Sequence, residues 1–230
     1  MPTHVQSTGT TGATGHGVTS ISKSFATPNV DGNLIVVDGA GWNSVGPPGV
    51  STVDDNAGSA TYQQGIHMEN VNTTLATYYQ TNVASANPFT VTITWLNAAN
   101  CSISAHEYSS AGAKTASNLA GGTGQSVASG SVAPAGTNLY HGVGCYVTGS
   151  SQSFTLTWGG ATERGNYDST NAEQQHSAAD IVTGSGTQNA TWTIGTSQSW
   201  CAGITAFADT GPAAWLPRRG SFGQDARLRR

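Results

Sequence analysis

The chain has 230 residues, of which 9% are charged, 37% are hydrophobic and 30 are glycine, and its formal net charge is −4. A typical soluble domain is about a quarter charged. Two lysines and six arginines therefore exclude a salt-bridged helical surface and a basic groove for nucleic acid. The low net charge, together with 6 tryptophans, 7 tyrosines and 5 phenylalanines, excludes an intrinsically disordered chain.

The N-terminal residues lack the basic and apolar segments of a signal peptide. The longest aliphatic run, residues 34–37, is far too short to span a membrane. We therefore expect a protein that is made in the cytoplasm, contacts no membrane and reaches the outside, if it does, by a route other than secretion.

The predicted elements, taken in chain order, are short strands. Residues 32–37 are apolar on both faces and predict a central strand, whereas apolar residues alternate with threonine over residues 89–95, 154–158 and 191–194. This alternation is typical of antiparallel sheets with one buried face and one hydroxylated face. Weaker patterns predict further strands near residues 3–7, 18–26, 59–64, 74–80, 101–108, 124–131, 138–148, 179–184 and 200–208.

Turn residues separate these strands at positions 55–58, 121–122 and 159–160. Residues 171–179 have helix-forming composition, but they lack the apolar stripe of a packed helix. No repeat of 20–50 residues is evident.

This pattern predicts an all-β fold, namely an antiparallel two-sheet β-sandwich that is jelly-roll-like. The sandwich is expected to occupy residues 1–210 as one domain. An extended, basic, proline-containing arm is expected over residues 211–230.

The three cysteines, Cys101, Cys145 and Cys201, lie in three predicted strands. Their spacing fits neither a zinc ribbon nor a redox motif, and an odd number leaves at least one thiol without an internal partner. Buried free thiols are favoured over a disulfide, and whether two of the three are bonded stays open.

The sequence offers no motif for catalysis or metal binding. The six histidines are scattered, and His67, His106 and His141 are interpreted as satisfied polar side chains rather than ligands. No nucleophile elbow is present. Glutamates 107, 163 and 173 could act as a glycosidase pair only if the fold brought two of them together. We therefore predict no catalytic residue, no metal site and no cofactor.

The charges divide the chain into two unlike parts. Up to residue 210 there are three basic and eleven acidic side chains, whereas the last twenty residues carry five arginines and one aspartate. A frayed terminus with incidental arginines is one interpretation of this segment. The other is a docking arm, in which apolar side chains fill a partner's pocket and arginines pair with its acidic groups. The residues concerned are Trp215, Leu216, Arg218, Arg219, Arg227, Arg229 and Arg230.

The edges of the predicted sheets bear on assembly. Monomeric sandwiches protect their edge strands with lysine, proline or inward charges, and this chain has two lysines. Either its own loops or neighbouring copies must cover the edges. The second alternative agrees with a docking arm, so we expect a homo-oligomer.

Several segments in order resemble a known group of domains. They are the strand 33–37, the turn 51–58, the aromatic strand 76–79, the alternating strand 89–95, residues 103–109 and the closing strand 200–207. Over roughly residues 3–208 this order resembles the Gly/Ser/Thr-rich β-sandwich domain of tailed-phage virion proteins and of some bacterial surface proteins. The resemblance implies a decoration, fibre or tail component shaped like a carbohydrate-binding module, and it implies no catalytic residue.

Two functions therefore compete. The first is a structural protein on the surface of a bacteriophage virion that contacts other virion proteins and copies of itself. The second is a carbohydrate-binding module or lectin, in which exposed aromatic rings stack on cell-surface glycans. The aromatic residues available for that role are Trp42, Tyr78, Tyr79 and Trp200. Nucleic acid is not an expected partner, and an enzyme is not expected.

Overall fold

The computed structural model describes residues 1–9, 17–59, 61–148, 152–168 and 174–211. These residues form antiparallel β-structure, and none of them belongs to a helix that could cross a membrane. The strands are β1 (Thr3–Ser7), β2 (Val18–Ser24), β3 (Leu34–Trp42), β4 (Val50–Asp55), β5 (Gln63–Asn70), β6 (Thr73–Gln80), β7 (Thr90–Ser109), β8 (Ala111–Ala128), β9 (Asn138–Val147), β10 (Phe154–Leu156), β11 (Thr162–Asp168), β12 (Gln174–Thr183) and β13 (Thr191–Asp209).

The strands form two sheets that divide the chain into a first half, β1 to β7, and a second half, β8 to β13. The first sheet has the order β1-β7-β3-β6-β5, with β2 and β4 also paired to β7. The second has the order β10-β13-β9-β12-β11, with β8 also paired to β13. The predicted all-β, two-sheet sandwich is therefore confirmed.

Each sheet folds over on itself along its longest strand. Residues 90–95 of β7 lie between β2 and β4, whereas its later residues pair with β1 and β3. Ile93 and Trp95 of the first part pack in one core with Ile35 and Val37 of β3. Each half thus has an inner and an outer layer. In the first half, β1, β3, β6 and β5 join the end of β7 in the inner layer, while β2 and β4 join its start, an order similar to that of a jelly roll.

The second half repeats the topology of the first. The early part of β8 pairs with the end of β13, as β1 pairs with the end of β7. Val127, near the end of β8, pairs with Trp192 at the start of β13, as β2 pairs with the start of β7. Leu34 faces Tyr108 across β3 and β7, and Leu139 faces Phe207 across β9 and β13. The repeating unit is half the chain, which is longer than a sequence repeat of 20–50 residues.

Two local predictions were wrong. Gly121 and Gly122 lie inside β8 rather than in a turn, and the indole of Trp200 lies over Gly122. Residues 50–55 form β4, whereas the sequence pattern assigns residues 51–58 to a turn.

The segment 171–179 has helix-forming composition but no apolar stripe, and its described part belongs to a strand. Residues 174–183 form β12, which lies between β9 and β11 and is largely buried.

Other local predictions are confirmed. Trp95, Trp158 and Trp192 are buried at 2%, 6% and 0% exposure, as the alternating pattern requires. Cys101, Cys145 and Cys201 are buried free thiols.

The edge strands carry two kinds of protection that need no neighbouring copy. Bulges or other irregularities interrupt the pairing of β1, β2, β4, β5 and β11. Charged residues also lie on these strands, including Lys23 on β2, Asp54 on β4 and Glu163 on β11. Both devices discourage edge-to-edge pairing, so the expected homo-oligomer stays a prediction.

The inner layers of the two halves pack against each other. At one end, Leu34 and Tyr108 of the first half contact Leu139 and Phe207 of the second. Towards the other end, a second apolar cluster joins the halves through Ala40, Ile66, Leu75, Val143, Cys145 and Cys201. Between these two clusters the inner strands present polar side chains to one another, and this polar layer is the chemically richest part of the molecule.

Candidate functional site

A buried centre of one carboxylate and two imidazoles lies between the halves. Asp38 comes from β3 and His106 from β7, both in the first half, whereas His141 comes from β9 in the second half. Their side chains have 0% exposure. His141 Nε2 lies 2.7 Å from Asp38 Oδ2, and His106 Nε2 lies 3.3 Å from the same oxygen. Thr77 Oγ1 donates a 2.7 Å hydrogen bond to the other oxygen, Oδ1.

Strand register places these residues together. Asp38 pairs with Ser104 on β7 and with Thr77 on β6, and every second residue of β3 points towards the second half. A signal for the centre is present in the sequence, since Asp38 is the one acid in the apolar strand 34–42 and His106 and His141 also lie in buried strands. Their wide separation in sequence concealed the cluster, because metal or catalytic motifs are recognised by short spacings.

Hydrogen bonds extend the centre through two arms. In the first, His106 Nδ1 lies 2.8 Å from Ser7 Oγ, which lies 2.6 Å from Nε2 of the partly exposed His4. In the second, His141 Nδ1 lies 3.0 Å from the Tyr108 hydroxyl. The His4 and Tyr108 rings pack edge-on with centroids 5.5 Å apart, so the two arms lie side by side.

The second arm of the network ends on an ion pair. The Tyr108 hydroxyl donates a 2.8 Å hydrogen bond to Asp180 Oδ2. Asp180 in turn accepts hydrogen bonds from Nε and Nη2 of Arg164, at 2.8 and 2.9 Å. This bidentate pair balances the Asp180 charge, so the charge of Asp38 must be balanced elsewhere.

A third imidazole, His176, lies in the same layer but not on Asp38. Its Nδ1 lies 3.0 Å from Ser102 Oγ and its Nε2 lies 3.3 Å from Ser104 Oγ. Gln174 Nε2 donates a 2.9 Å hydrogen bond to Ser102 Oγ. Hydroxyl groups therefore satisfy both ring nitrogens of His176.

Asp38 and His141 stabilise each other's charged form against burial. Burial raises the pKa of Asp38, but the charge of His141 and hydrogen bonds from both histidines outweigh it and hold that pKa far below its usual range. Burial lowers the pKa of His141, whereas the charge and hydrogen bond of Asp38 raise it above its usual value overall. Burial lowers the pKa of His106 despite its hydrogen bond to Asp38. On protons alone, the centre is a carboxylate–imidazolium pair with His106 neutral.

A shallow pocket lies at the far end of β3. It has a volume of about 280 Å³ and is lined by Gly17, Trp42, Asn43, Ser44, Ala98, Ala99 and Asn100. Trp42 is half-buried and pairs directly with Asn100 across β3 and β7. An aromatic ring beside amide and hydroxyl groups is a chemistry suited to a sugar.

The other predicted glycan-contact aromatics lie apart from this pocket. Tyr79 is 4% exposed and stacks edge-on against Phe207 between the halves, so it offers no ring face to solvent. Tyr78 is half-buried against the core of the first half. Trp200 is half-buried in the second half, where it packs against the core of that half. Of the four predicted aromatics, the structure places Trp42 in the described pocket.

The glutamates that could have formed a glycosidase pair are not brought together as one. Glu107 is fully buried and accepts hydrogen bonds from the Val30 amide, Asn33 and Gln6. Glu163 accepts hydrogen bonds from Asn166 and Ser177. Glu173 lies outside the described residues.

The predicted docking arm also lies outside the described residues, which end at Gly211. The structure does fix where that segment starts. The ammonium group of Met1 lies 3.1 Å from Asp209, and Thr210 is hydrogen-bonded to Ser110. This is the Leu34 end of the inner sheet, about 26 Å along β3 from Trp42. Gly211, the last described residue before the arm, and the pocket are therefore at opposite poles of the molecule.

No protein-family model, curated protein or solved structure matches this chain.

Proposed function

We propose that this chain is a structural protein of a bacteriophage virion, exposed on the particle surface and docked through its C-terminal arm. The observation that carries the proposal is the sealed centre. Asp38, His106 and His141 have no exposed side-chain surface, so a substrate cannot reach the most chemically capable groups of the described chain. Because these three residues lie between the two halves, they are placed to hold the halves together.

The placement of the two poles supports the same function. The chain leaves the second half at Gly211, beside the N terminus, so a docking arm would hold the module by one pole. The opposite pole, with Trp42 and its neighbours, would then point away from the particle. Residues outside the described range also hold five of the eight basic side chains of the protein, which gives an arm the charge to pair with acidic partners.

The experiment compares the full chain with a chain that ends at residue 210. Both are produced in cells that also express the remaining virion proteins, and incorporation into purified particles is measured. We expect the shortened chain to retain its β-sheet circular dichroism spectrum and its melting temperature, because the described core lies within residues 1–211. We expect it to be absent from particles.

Two variants of the full chain separate the two parts of the docking interaction. In one, Trp215 and Leu216 are replaced by alanine, and in the other the five arginines after residue 217 are replaced by glutamine. Weakened incorporation of both supports apolar anchoring with charge pairing. Normal incorporation of the shortened chain would overturn the proposal.

The pocket at Trp42 favours a second function, the binding of a cell-surface glycan. Its indole and the exposed Ser44 hydroxyl provide a stacking surface and a hydrogen-bonding group, while Asn43 is held in place by Ala98 and Val45. We expect the full chain to bind a subset of glycans on an array and Trp42→Ala to weaken that binding about tenfold.

Trp200→Ala is the matched control for this test, since Trp200 is also half-buried but lies in the other half. It should leave glycan binding unchanged. Equal losses in the two variants would indicate general destabilisation rather than a contact at Trp42, and no binding by the full chain would rule out the glycan function on the glycans tested.

A further inference from the structure

The metal-binding atoms that Asp38, His106 and His141 offer lie close together. Asp38 Oδ2 and the two Nε2 atoms all lie within 4.8 Å of one another. Zinc holds nitrogen and oxygen ligands at about 2.0–2.2 Å, which places neighbouring ligands of a tetrahedral ion about 3.3 Å apart. The 3.3 Å separation of His106 Nε2 from Asp38 Oδ2 fits that spacing, and the 2.7 Å separation of His141 Nε2 requires a small retreat of the ring.

The outer nitrogens of both imidazoles are held by hydroxyl groups. His106 Nδ1 contacts Ser7 Oγ at 2.8 Å, and His141 Nδ1 contacts the Tyr108 hydroxyl at 3.0 Å. Metal-binding histidines are held in this way, since a partner on one nitrogen fixes the ring and directs the other nitrogen to the ion. Thr77 likewise occupies Asp38 Oδ1 and leaves Oδ2 facing the imidazoles.

The hydrogen-bond donors around His141 indicate that a positive charge lies between His141 Nε2 and Asp38 Oδ2. Tyr108 has one hydroxyl proton, and it goes to Asp180. His141 must therefore carry the proton on Nδ1 and donate it to the Tyr108 oxygen. Its Nε2 lone pair would then face the Asp38 carboxylate at 2.7 Å, an arrangement that only a second proton or a metal cation relieves.

We propose that Asp38, His106 and His141 bind one divalent transition-metal ion, best matched by zinc, which fastens the two halves together. Two imidazoles and a carboxylate are a ligand set that zinc accepts. A water molecule would fill a fourth position. The ion would replace the second proton on His141 and leave both imidazoles neutral.

Two consequences follow from the placement of the ligands. Because Asp38 and His106 belong to the first half and His141 to the second, the ion would bind tightly only after the halves meet. Because all three side chains have 0% exposure, the ion would enter during folding and exchange slowly afterwards.

The test uses the full chain, unfolded and refolded either with zinc sulfate or with a chelator, then freed of loose metal by gel filtration. Elemental analysis should find about one zinc ion per chain in the first sample, and the zinc-refolded protein should have the higher melting temperature. Refolding with cobalt(II) should give the visible absorption bands of a low-symmetry nitrogen and oxygen site.

The matched pair of variants is His141→Gln and His176→Gln. Both remove a buried imidazole from the same polar layer, but His176 contacts Ser102 and Ser104 rather than Asp38. We expect His141→Gln to lose the bound ion and His176→Gln to retain it. If His141→Gln does not fold, the metal content and the cobalt spectrum of the wild-type chain decide the question.

A wild-type chain that refolds in zinc without retaining the ion would overturn the proposal, and so would equal loss in both variants. Either result would leave the centre as a hydrogen-bonded ion pair. The proposed role in a virion does not depend on this ion, so its own test is unaffected.

Discussion

His176 is an imidazole that the fold keeps neutral. It is fully buried between Ser102 and Ser104, and no carboxylate contacts it among the described residues. Burial lowers its pKa, the charge of Asp38 partly offsets burial, and the neighbouring imidazoles His106 and His141 lower it further, to about 4. The folded protein therefore resists protonation of a group that the unfolded chain protonates near pH 6.5.

This difference predicts a loss of stability in mild acid. Above pH 6.5 both states hold a neutral His176, and its contribution is complete. Between pH 6.5 and about 4 the unfolded chain gains a proton that the folded chain does not, so stability falls by up to about 1.4 kcal/mol per pH unit, roughly 3 kcal/mol in total. Urea unfolding at a series of pH values measures the slope.

His176→Gln isolates this contribution, because glutamine keeps a hydrogen-bonding side chain without titrating. The variant should lose less stability than the wild type between pH 6.5 and 4. His4, whose pKa burial also lowers to about 4, remains in both proteins and cancels in the comparison. Parallel stability curves for the two proteins would show that His176 does not titrate in this way.

At the scale of the strand, glycines in β3 and β9 let tryptophan rings lie directly on the backbone. A Cβ atom at Gly39 would be 3.3 Å from Trp95, and one at Gly144 would be 3.1 Å from Trp192. One at Gly142 would be 2.9 Å from Trp158. The two halves thus use the same packing device, in which an outer-layer indole covers a bare stretch of an inner strand.

Gly142→Ala should therefore destabilise the second half by overpacking. Its new Cβ would lie 2.5 Å from the Cβ of Ala190, a short side chain that cannot turn away, as well as close to Trp158. We expect a loss of about 1–3 kcal/mol in the free energy of unfolding, measured by chemical denaturation.

Gly184→Ala provides the control, because a Cβ there meets nothing within 4 Å and the residue is exposed. Its free energy of unfolding should stay close to that of the wild type. A similar loss in both variants would mean that the close approach at Gly142 is not the cause.

For the whole molecule, the sequence predicts the kind of fold better than its arrangement. Threonine alternation identifies the strands around Trp95, Trp158 and Trp192 because a half-buried strand imposes period two locally. It cannot show that β7 continues from an outer to an inner layer, since that depends on pairing with β1, which lies far away in sequence. The repeated topology is hidden for the same reason, because equivalent positions such as Tyr108 and Phe207 are matched by strand pairing and not by a repeated sequence.

The buried centre was less predictable than the strands. Each of Asp38, His106 and His141 is an ordinary polar residue in its own strand, and only the packing of the halves makes them neighbours. Trp42 is one of the four aromatic residues predicted to be available for glycan contact. Its pocket depends on residues 98–100 and on Gly17, which no local pattern connects to it.

In each half of the molecule the first strand pairs with the last one. This pairing determines the order in which parts of the chain become stable during synthesis. β1 finds its partner only when residues 106–109 have been made, and β8 finds its partner only when β13 has been made. The first half can then close around its own core while its inner face, with Leu34, Ile66 and Leu75, still lacks a cover. If synthesis stops between residues 110 and 190, the apolar side chains of this inner face are exposed to solvent. The nascent protein is therefore most prone to aggregation over this interval.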